Sequence, residues 1–246
     1  MTELQAQGIC YKNLNEKIFN LINEGHQKIK LVGVNGQRYI GTGIASRSHI
    51  IMEGTPGNDM AAYMNGSTIE VFGNAQDAAA NTMNDGEIII HGHTGDTLGY
   101  AMRGGTIYVR DYVGYRVGIH MKEYEEKVPV IVVGGNAGDF LGEYMAGGIL
   151  IVLGLNKEPD KPLVGNFCGT GMHGGVMYLR GQVQSHQLGR EVKVVPLEEA
   201  DRAILKKHVA AYAGHFKVDY EAIMREPFFK LIPFNKRPYG NLYAAW

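Results

Sequence analysis

Gly95-Asp96-Thr97-Leu98-Gly99-Tyr100-Ala101-Met102-Arg103-Gly104-Gly105-Thr106-Ile107-Tyr108-Val109-Arg110 sets out the pattern on which the chain is built. Its order is an acidic residue, a small residue, a methionine, a glycine pair and a short β-prone run, and that order returns along the chain. Met64, Met83, Met102 and Met121 stand 19 residues apart, and Met145 and Met172 follow after longer gaps. Three residues before each methionine is a small residue: Ala61, Ala80, Gly99, Gly118, Gly142 and Gly169. Six before stand Asn58, Asp77, Asp96, Tyr115, Asp139 and Asn166, and seven before stand Gly57, Gln76, Gly95, Gly114, Gly138 and Gly165. Columns aligned over six copies define an internal repeat, which takes precedence over any single-site reading.

A unit of about 19 residues cannot bury its own apolar face and becomes stable by stacking on the next copy. Each copy ends in a β-prone run: Ser67–Phe72, Glu87–His91, Thr106–Arg110, Val128–Val133, Ile149–Leu153 and Val176–Arg180. Helical repeats are disfavoured, because so many glycines would make a helix pair costly. The spacing therefore predicts an all-β-dominated parallel β-helix over residues 57–181, each copy one coil. The methionines form an internal ladder, and the small column marks a corner of close approach or positive φ. Asp and Asn suit such corners because they tolerate left-handed backbone and bond neighbouring amides. Lys122–Lys127 and Asn156–Pro162 read as outward loops between copies.

The flanks read as caps. In residues 1–56, Asn13 is placed to cap a helix from Leu14 to Glu24 that Gly25 ends. Lys28 to Val34 reads as a strand, Asn35-Gly36 as a hairpin turn, Arg38 to Ala45 as the returning strand, and His49 to Met52 as a further short strand. In residues 182–246, Glu191–Val195 is the best candidate for a last strand. A helix is expected from Leu197 to Ala213 with Gly214 closing it, and a shorter one follows with Asp219 as its cap. Eight aromatics crowd the last 31 residues, from Phe216 and Tyr220 through Phe228, Phe229 and Phe234 to Tyr239, Tyr243 and Trp246. Such a tail packs back on the β-helix or docks on a partner.

Composition narrows the function classes. Glycine is 34 of 246 residues, about twice the usual ~7%. A formal net charge of -1 argues against a sequence-independent grip on nucleic acid, which needs a basic face. Cys10 and Cys168 are too few for a disulfide scaffold or for a cysteine-ligated iron–sulfur cluster within this chain. No apolar run reaches the ~18 residues of a membrane span, and the first residues lack a signal-peptide pattern. The expectation is a soluble cytoplasmic protein.

Four segments carry a family resemblance: Val34-Asn35-Gly36-Gln37-Arg38-Tyr39-Ile40-Gly41-Thr42-Gly43; Gly104-Gly105 with Asp111; Asp139 to Gly148; and Gly169-Thr170-Gly171-Met172-His173-Gly174-Gly175. They resemble the C-terminal glycine-repeat domain of the glutamate synthase large chain, in its stand-alone archaeal-type form, over nearly the whole chain. The repeat-bearing subunit of formylmethanofuran dehydrogenase is a more distant likeness. The resemblance implies a right-handed, single-stranded parallel β-helix with an N-terminal α/β cap and a C-terminal helical cap. It implies a structural subunit without catalytic, cofactor-binding or metal-binding residues of its own, joining a glutaminase and an FMN-dependent synthase. FMN and an iron–sulfur cluster are expected in those partner subunits. A homo-oligomer is compatible with the sequence. The family's glutaminase works through an N-terminal cysteine, whereas Cys10 here is internal.

Other candidates have simpler readings. Gly169-Thr170-Gly171-Met172-His173-Gly174 fits G-x-G-x-x-G, but a dinucleotide fingerprint needs a strand before it and a helix after it. His91 and His93 could approach one metal, but no other ligand cluster is spaced to complete a shell. His120 and His173 flank the methionine column at different offsets and are read as structural. The Asp77, Asp96 and Asp139 column lacks the nine-residue period of calcium-binding β-rolls. Arg103, Arg110, Arg116 and Arg180 read as a solvated face. Two functional alternatives remain: the same scaffold in another amidotransferase–flavoprotein or formylmethanofuran-type complex, and a self-contained protein with a site on the β-helix wall.

Overall fold

The computed structural model describes residues 1–158 and 160–234. Eleven strands form one sheet. They are β1 (Thr2–Gln5), β2 (Lys28–Asn35), β3 (His49–Thr55), β4 (Asn65–Phe72), β5 (Asp85–Ile90), β6 (Thr106–Val109), β7 (Val130–Val133), β8 (Ala146–Val152), β9 (Gly174–Arg180), β10 (Val192–Val195) and β11 (Phe228–Pro233). Helices α1 (Tyr11–Asn23), α2 (Glu199–Phe216) and α3 (Tyr220–Arg225) complete the elements. Strands β1 to β9 pair in chain order and all in parallel. Consecutive parallel neighbours, each reached by one circuit of chain, make a β-helix.

Register shows why these sequences stack. Leu31, Met52, Val71, Ile90, Val109, Val133, Val152 and Leu179 are successive partners, and so are Ile29, Ile50, Ile69, Ile88, Ile107, Ile131, Leu150 and Met177. Both rows point inward and are buried. Because side chains alternate along a strand, these rows fill the interior and the residues between them face out. The six index methionines are fully buried in the same interior. A second line of short parallel bridges, Ala75–Thr94–Val113–Ala137–Val164, ties the opposite side of successive coils.

The two ends close differently. α1 lays Leu14 and Ile18 over the first coil, and Gly25, with φ of 89°, ends it. Cys10 rather than Asn13 occupies its N-cap, and no side chain caps it. The expected hairpin at Asn35-Gly36 does not form. β2 pairs in parallel with β1 and β3, and residues 38–45 turn as a coil corner. They are an earlier copy of the repeat, with Ile44 in the methionine column and Gly41 in the small column. An Asn-Gly pair turns the chain in either case; the stacking partner decides which way it continues.

At the far end β11 pairs antiparallel with β9, and β10 antiparallel with β11, so two strands of opposite direction terminate the parallel stack. The aromatic segment therefore packs back through Phe229, whereas Phe234 is exposed. Phe228 is buried, and Phe216 and Tyr220 pack against the same cluster, which fills the space between α2, α3 and the outer face of β5 to β9. Tyr239, Tyr243 and Trp246 lie outside the described residues. α2 runs past Gly214 to a left-handed Lys217, and Asp219 caps α3 by accepting from the Glu221 and Ala222 amides. Among the described residues no helix is long and apolar enough to cross a membrane.

Candidate functional site

The feature that sets this β-helix apart is one corner of each coil. The residues five, three and one before the index position have positive φ in all seven copies, beginning with Tyr39, Gly41 and Gly43. The pattern continues through Asp59, Ala61, Tyr63; Ala78, Ala80, Thr82; Thr97, Gly99, Ala101; Arg116, Gly118, His120; Phe140, Gly142, Tyr144; and Phe167, Gly169, Gly171. Alternation of left-handed with ordinary backbone reverses the peptide direction at each step, so successive bonded N–H groups reach opposite neighbours. Thr97 N–H donates forward to the Tyr115 carbonyl (2.8 Å), Gly99 N–H back to Ala79 (2.8 Å), and Ala101 N–H forward to Ile119 (2.9 Å). The same three bonds recur at Arg116, Gly118 and His120. Each of the five inner coils is thereby stitched to both neighbours.

Side chains at the corner take two directions. The middle position points inward: a Cβ on Gly99 would lie 2.5 Å from Ile131 Cδ1, and one on Gly142 3.0 Å from Met177 Sδ. The outer two point to solvent. On the last three coils they carry Arg116, Phe140 and Phe167 in one column and His120 and Tyr144 in the other. Phe140 stacks on Phe167 at 5.0 Å, the Arg116 guanidinium lies over Phe140 at 4.9 Å, and His120 stacks on Tyr144 at 5.4 Å. Arg116 is also bonded to Glu143 at 2.8 Å.

The Asp column works as a chain of corner bonds. Asp77 Oδ1 accepts from Asp96 N–H (2.9 Å), Asp96 Oδ1 from Tyr115 N–H (2.8 Å), and Asp139 Oδ1 from Asn166 N–H (2.7 Å). Gly169 and Gly171 are corner residues of the last such coil, and β9 follows them where a nucleotide fingerprint would need a helix.

His91 and His93 stack on different rings, His91 on Phe72 at 4.4 Å and His93 on Tyr112 at 4.6 Å. The structure brings His91 not to His93 but to Glu70, whose two oxygens lie 3.0 Å from His91 Nε2 and 3.7 Å from His49 Nε2. Glu70 and His91 border a cleft of about 470 Å³ beside the end of α2, lined also by Phe72, Arg110, His215 and Phe216. Arg110 is held there by Asp111 in a two-point contact, and Lys217 by the Gly214 carbonyl. A larger cleft of about 660 Å³ lies between the 136–139 and 161–166 segments and Gln184–Gln187, lined by backbone and by Tyr112, Tyr115 and Lys161. Among the described residues no three His, Cys, Asp or Glu side chains are arranged to hold a metal ion. Burial pushes the Cys168 thiol up to about 12, which keeps it protonated at neutral pH. His173 Nδ1 bonds the Gly171 carbonyl, and Arg180 donates to the carbonyls of Ile223 and Leu153 as a strut between α3 and β8. Arg180 is thus a structural link rather than part of a solvated face.

The sequence matches the GXGXG motif family over residues 17–233. The chain belongs to that family. It is also 42% identical over 249 residues to an uncharacterised protein of Methanocaldococcus jannaschii, an alignment covering 98% of this chain and 95% of the relative. The alternate spacing in the motif's name is the spacing of the left-handed corner positions. Sequence reading found the middle column and missed the outer two. Their residues share a conformation rather than a side-chain type, and Gly43 and Gly171 were the one signal available.

Proposed function

We propose that this GXGXG protein is a non-catalytic structural subunit of a glutamate synthase-type complex. It joins a glutaminase to an FMN-dependent synthase, so that ammonia passes between them during glutamine-dependent glutamate formation. The family is linked to glutamate synthase, and one observation carries the reading: the match runs through nearly the whole chain, and the motif residues are used in coil stacking. A rigid, regularly spaced solenoid suits a part that fixes the distance between two enzymes. FMN and an iron–sulfur cluster belong to the partners on this reading, and the complex works in the cytoplasm.

Co-expression of the chain with the glutaminase and flavoprotein subunits from the same genome tests it. One stable complex is expected that, supplied with a two-electron reductant for its flavin, consumes 2-oxoglutarate and makes two glutamates per glutamine. Recovery of the chain free of both partners sinks the proposal, and association with formylmethanofuran dehydrogenase-type subunits instead moves the scaffold to that alternative assembly.

A further inference from the structure

The outward side of the GXGXG corner is exposed, aromatic at one end and acidic at the other. Tyr63, Tyr100, Tyr115 and Phe167 on this corner are 56%, 39%, 51% and 52% exposed. Tyr100 meets His120 edge-on and His120 stacks on Tyr144 in one row, and Arg116, Phe140 and Phe167 form another. Contiguous exposed aromatics of this kind mark interaction surfaces. The corner backbone sets the direction of these rings: Phe140 and Phe167 share the left-handed φ near 60° of their column, with Phe167 exposed and Phe140 partly so.

Charge selects the occupant. Asp59, Asp77 and Asp96 stand on successive coils, about 4.8 Å apart in rise, and none has an ion-pair partner among the described residues. With Asp139 these corners present four carboxylates against two guanidiniums, Arg38 and Arg116, and Glu143 is buried. Arg116 is already committed to Glu143. A second copy of this chain would bring the same acidic excess.

We infer that this corner docks a different protein chain, one whose surface sets Lys or Arg side chains against Asp59, Asp77 and Asp96 and aliphatic or proline side chains against Phe140, Tyr144 and Phe167. The inference rests on the proposed assembly role and gives that role a surface.

Two variants test it in the co-expressed complex with the glutaminase and flavoprotein subunits. D59N/D77N/D96N removes the charge and keeps an acceptor oxygen, and Asn58 and Asn166 already occupy the column of Asp77 and Asp96. F140G/F167G removes the rings and suits the left-handed backbone. Both should fold, with unchanged far-ultraviolet dichroism. Each should weaken assembly at least tenfold, and wild-type affinity should fall with added salt far more steeply than that of the Asn variant. Wild-type assembly with both variants binding equally well overturns the surface and leaves the scaffold reading standing. Failure of the wild type to assemble overturns the scaffold reading and the surface together. Self-association of the chain alone that both variants abolish assigns the corner to a second copy and overturns the heterotypic partner.

Discussion

At the scale of single residues, this protein spends most of its specificity on backbone conformation. Fourteen non-glycine residues occupy the left-handed corner positions, at a cost of roughly 1–2 kcal/mol each in an unsupported chain. The inter-coil N–H bonds offset that cost, since a buried amide left unpaired is itself destabilising by a similar amount. Ala61 and Ala80 show that a lone methyl group is accepted in the inward column. Gly142 is different, because its Cβ would meet Met177 Sδ at 3.0 Å and Leu150 Cδ1 at 3.3 Å. Gly142→Val adds branching to a left-handed site in a packed interior and should lose about 3 kcal/mol. Lys157→Ala, on an exposed loop, should stay within about 0.5 kcal/mol. Thermal unfolding of the two variants checks this; equal midpoints would mean that the inward column does not govern packing. Met102→Ala should cost about 3 kcal/mol through the cavity it leaves, read by urea unfolding.

At the scale of elements, α2 is held by a polar hub beneath an apolar face. Asp201 accepts from Tyr178 Oη at 2.6 Å, from Lys230 Nζ at 2.8 Å and from Glu198 N–H at 2.7 Å, joining α2 to β9 and β11. Burial alone would raise the Asp201 pKa, but these three donors outweigh it and hold the carboxyl below its usual range. A depressed carboxylate contributes stability that is present above the unfolded value of about 4 and lost as pH falls through the folded one. Asp201→Ala removes the acceptor of Tyr178 Oη and leaves the partly buried Lys230 ammonium only Glu198, at 3.9 Å, and should cost about 2 kcal/mol at pH 7. The gap to wild type should shrink below pH 4 in urea titrations. His208 on the same helix is driven down to about 4 by burial, with Lys207 adding to the effect, and its Nδ1 has no partner. Here the unfolded chain binds the extra proton between about pH 6.5 and 4, so stability falls as pH is lowered through that window. His208→Leu should raise stability at pH 7 by about 1 kcal/mol and flatten that slope. A variant as pH-sensitive as wild type would place the titration elsewhere.

At the scale of the molecule, a stack of coils is as stable as its ends, because an uncapped end exposes a full cross-section of apolar core. β1 and α1 close one end and β11 with β10 the other. Leu231 is fully buried at that second closure and pairs with Met177. Leu231→Asp should open the end, and light scattering should then report aggregation even where the central coils keep their β signal. The outer face of the sheet divides in the same economical way. It is apolar where α2 and α3 cover β5 to β9 and charged over β2 to β4, where Lys30 meets Glu53 at 2.7 Å. That division leaves the GXGXG corner as the broad aromatic surface with no element of the chain described over it.

The repeat alone determined the architecture: a 19-residue period with small and methionine columns admits few structures other than stacked coils, because identical positions must meet identical positions. It also located the inward column, the Asp corner bonds and α3 with its Asp219 cap, since each depends on residue type at fixed local spacing. Tertiary structure decided what local spacing cannot encode. Asn35-Gly36 permits a hairpin, but the β3 edge beside β2 draws the chain onward into another coil. Phe228 to Pro233 reads as aromatic tail until the open edge of β9 supplies a partner for its amides. Tyr115, Phe140 and Phe167 lie far apart in sequence and become one surface only because the coils stack. That surface, unlike the fold, is a property of the assembled molecule, and it is where a partner would read this chain.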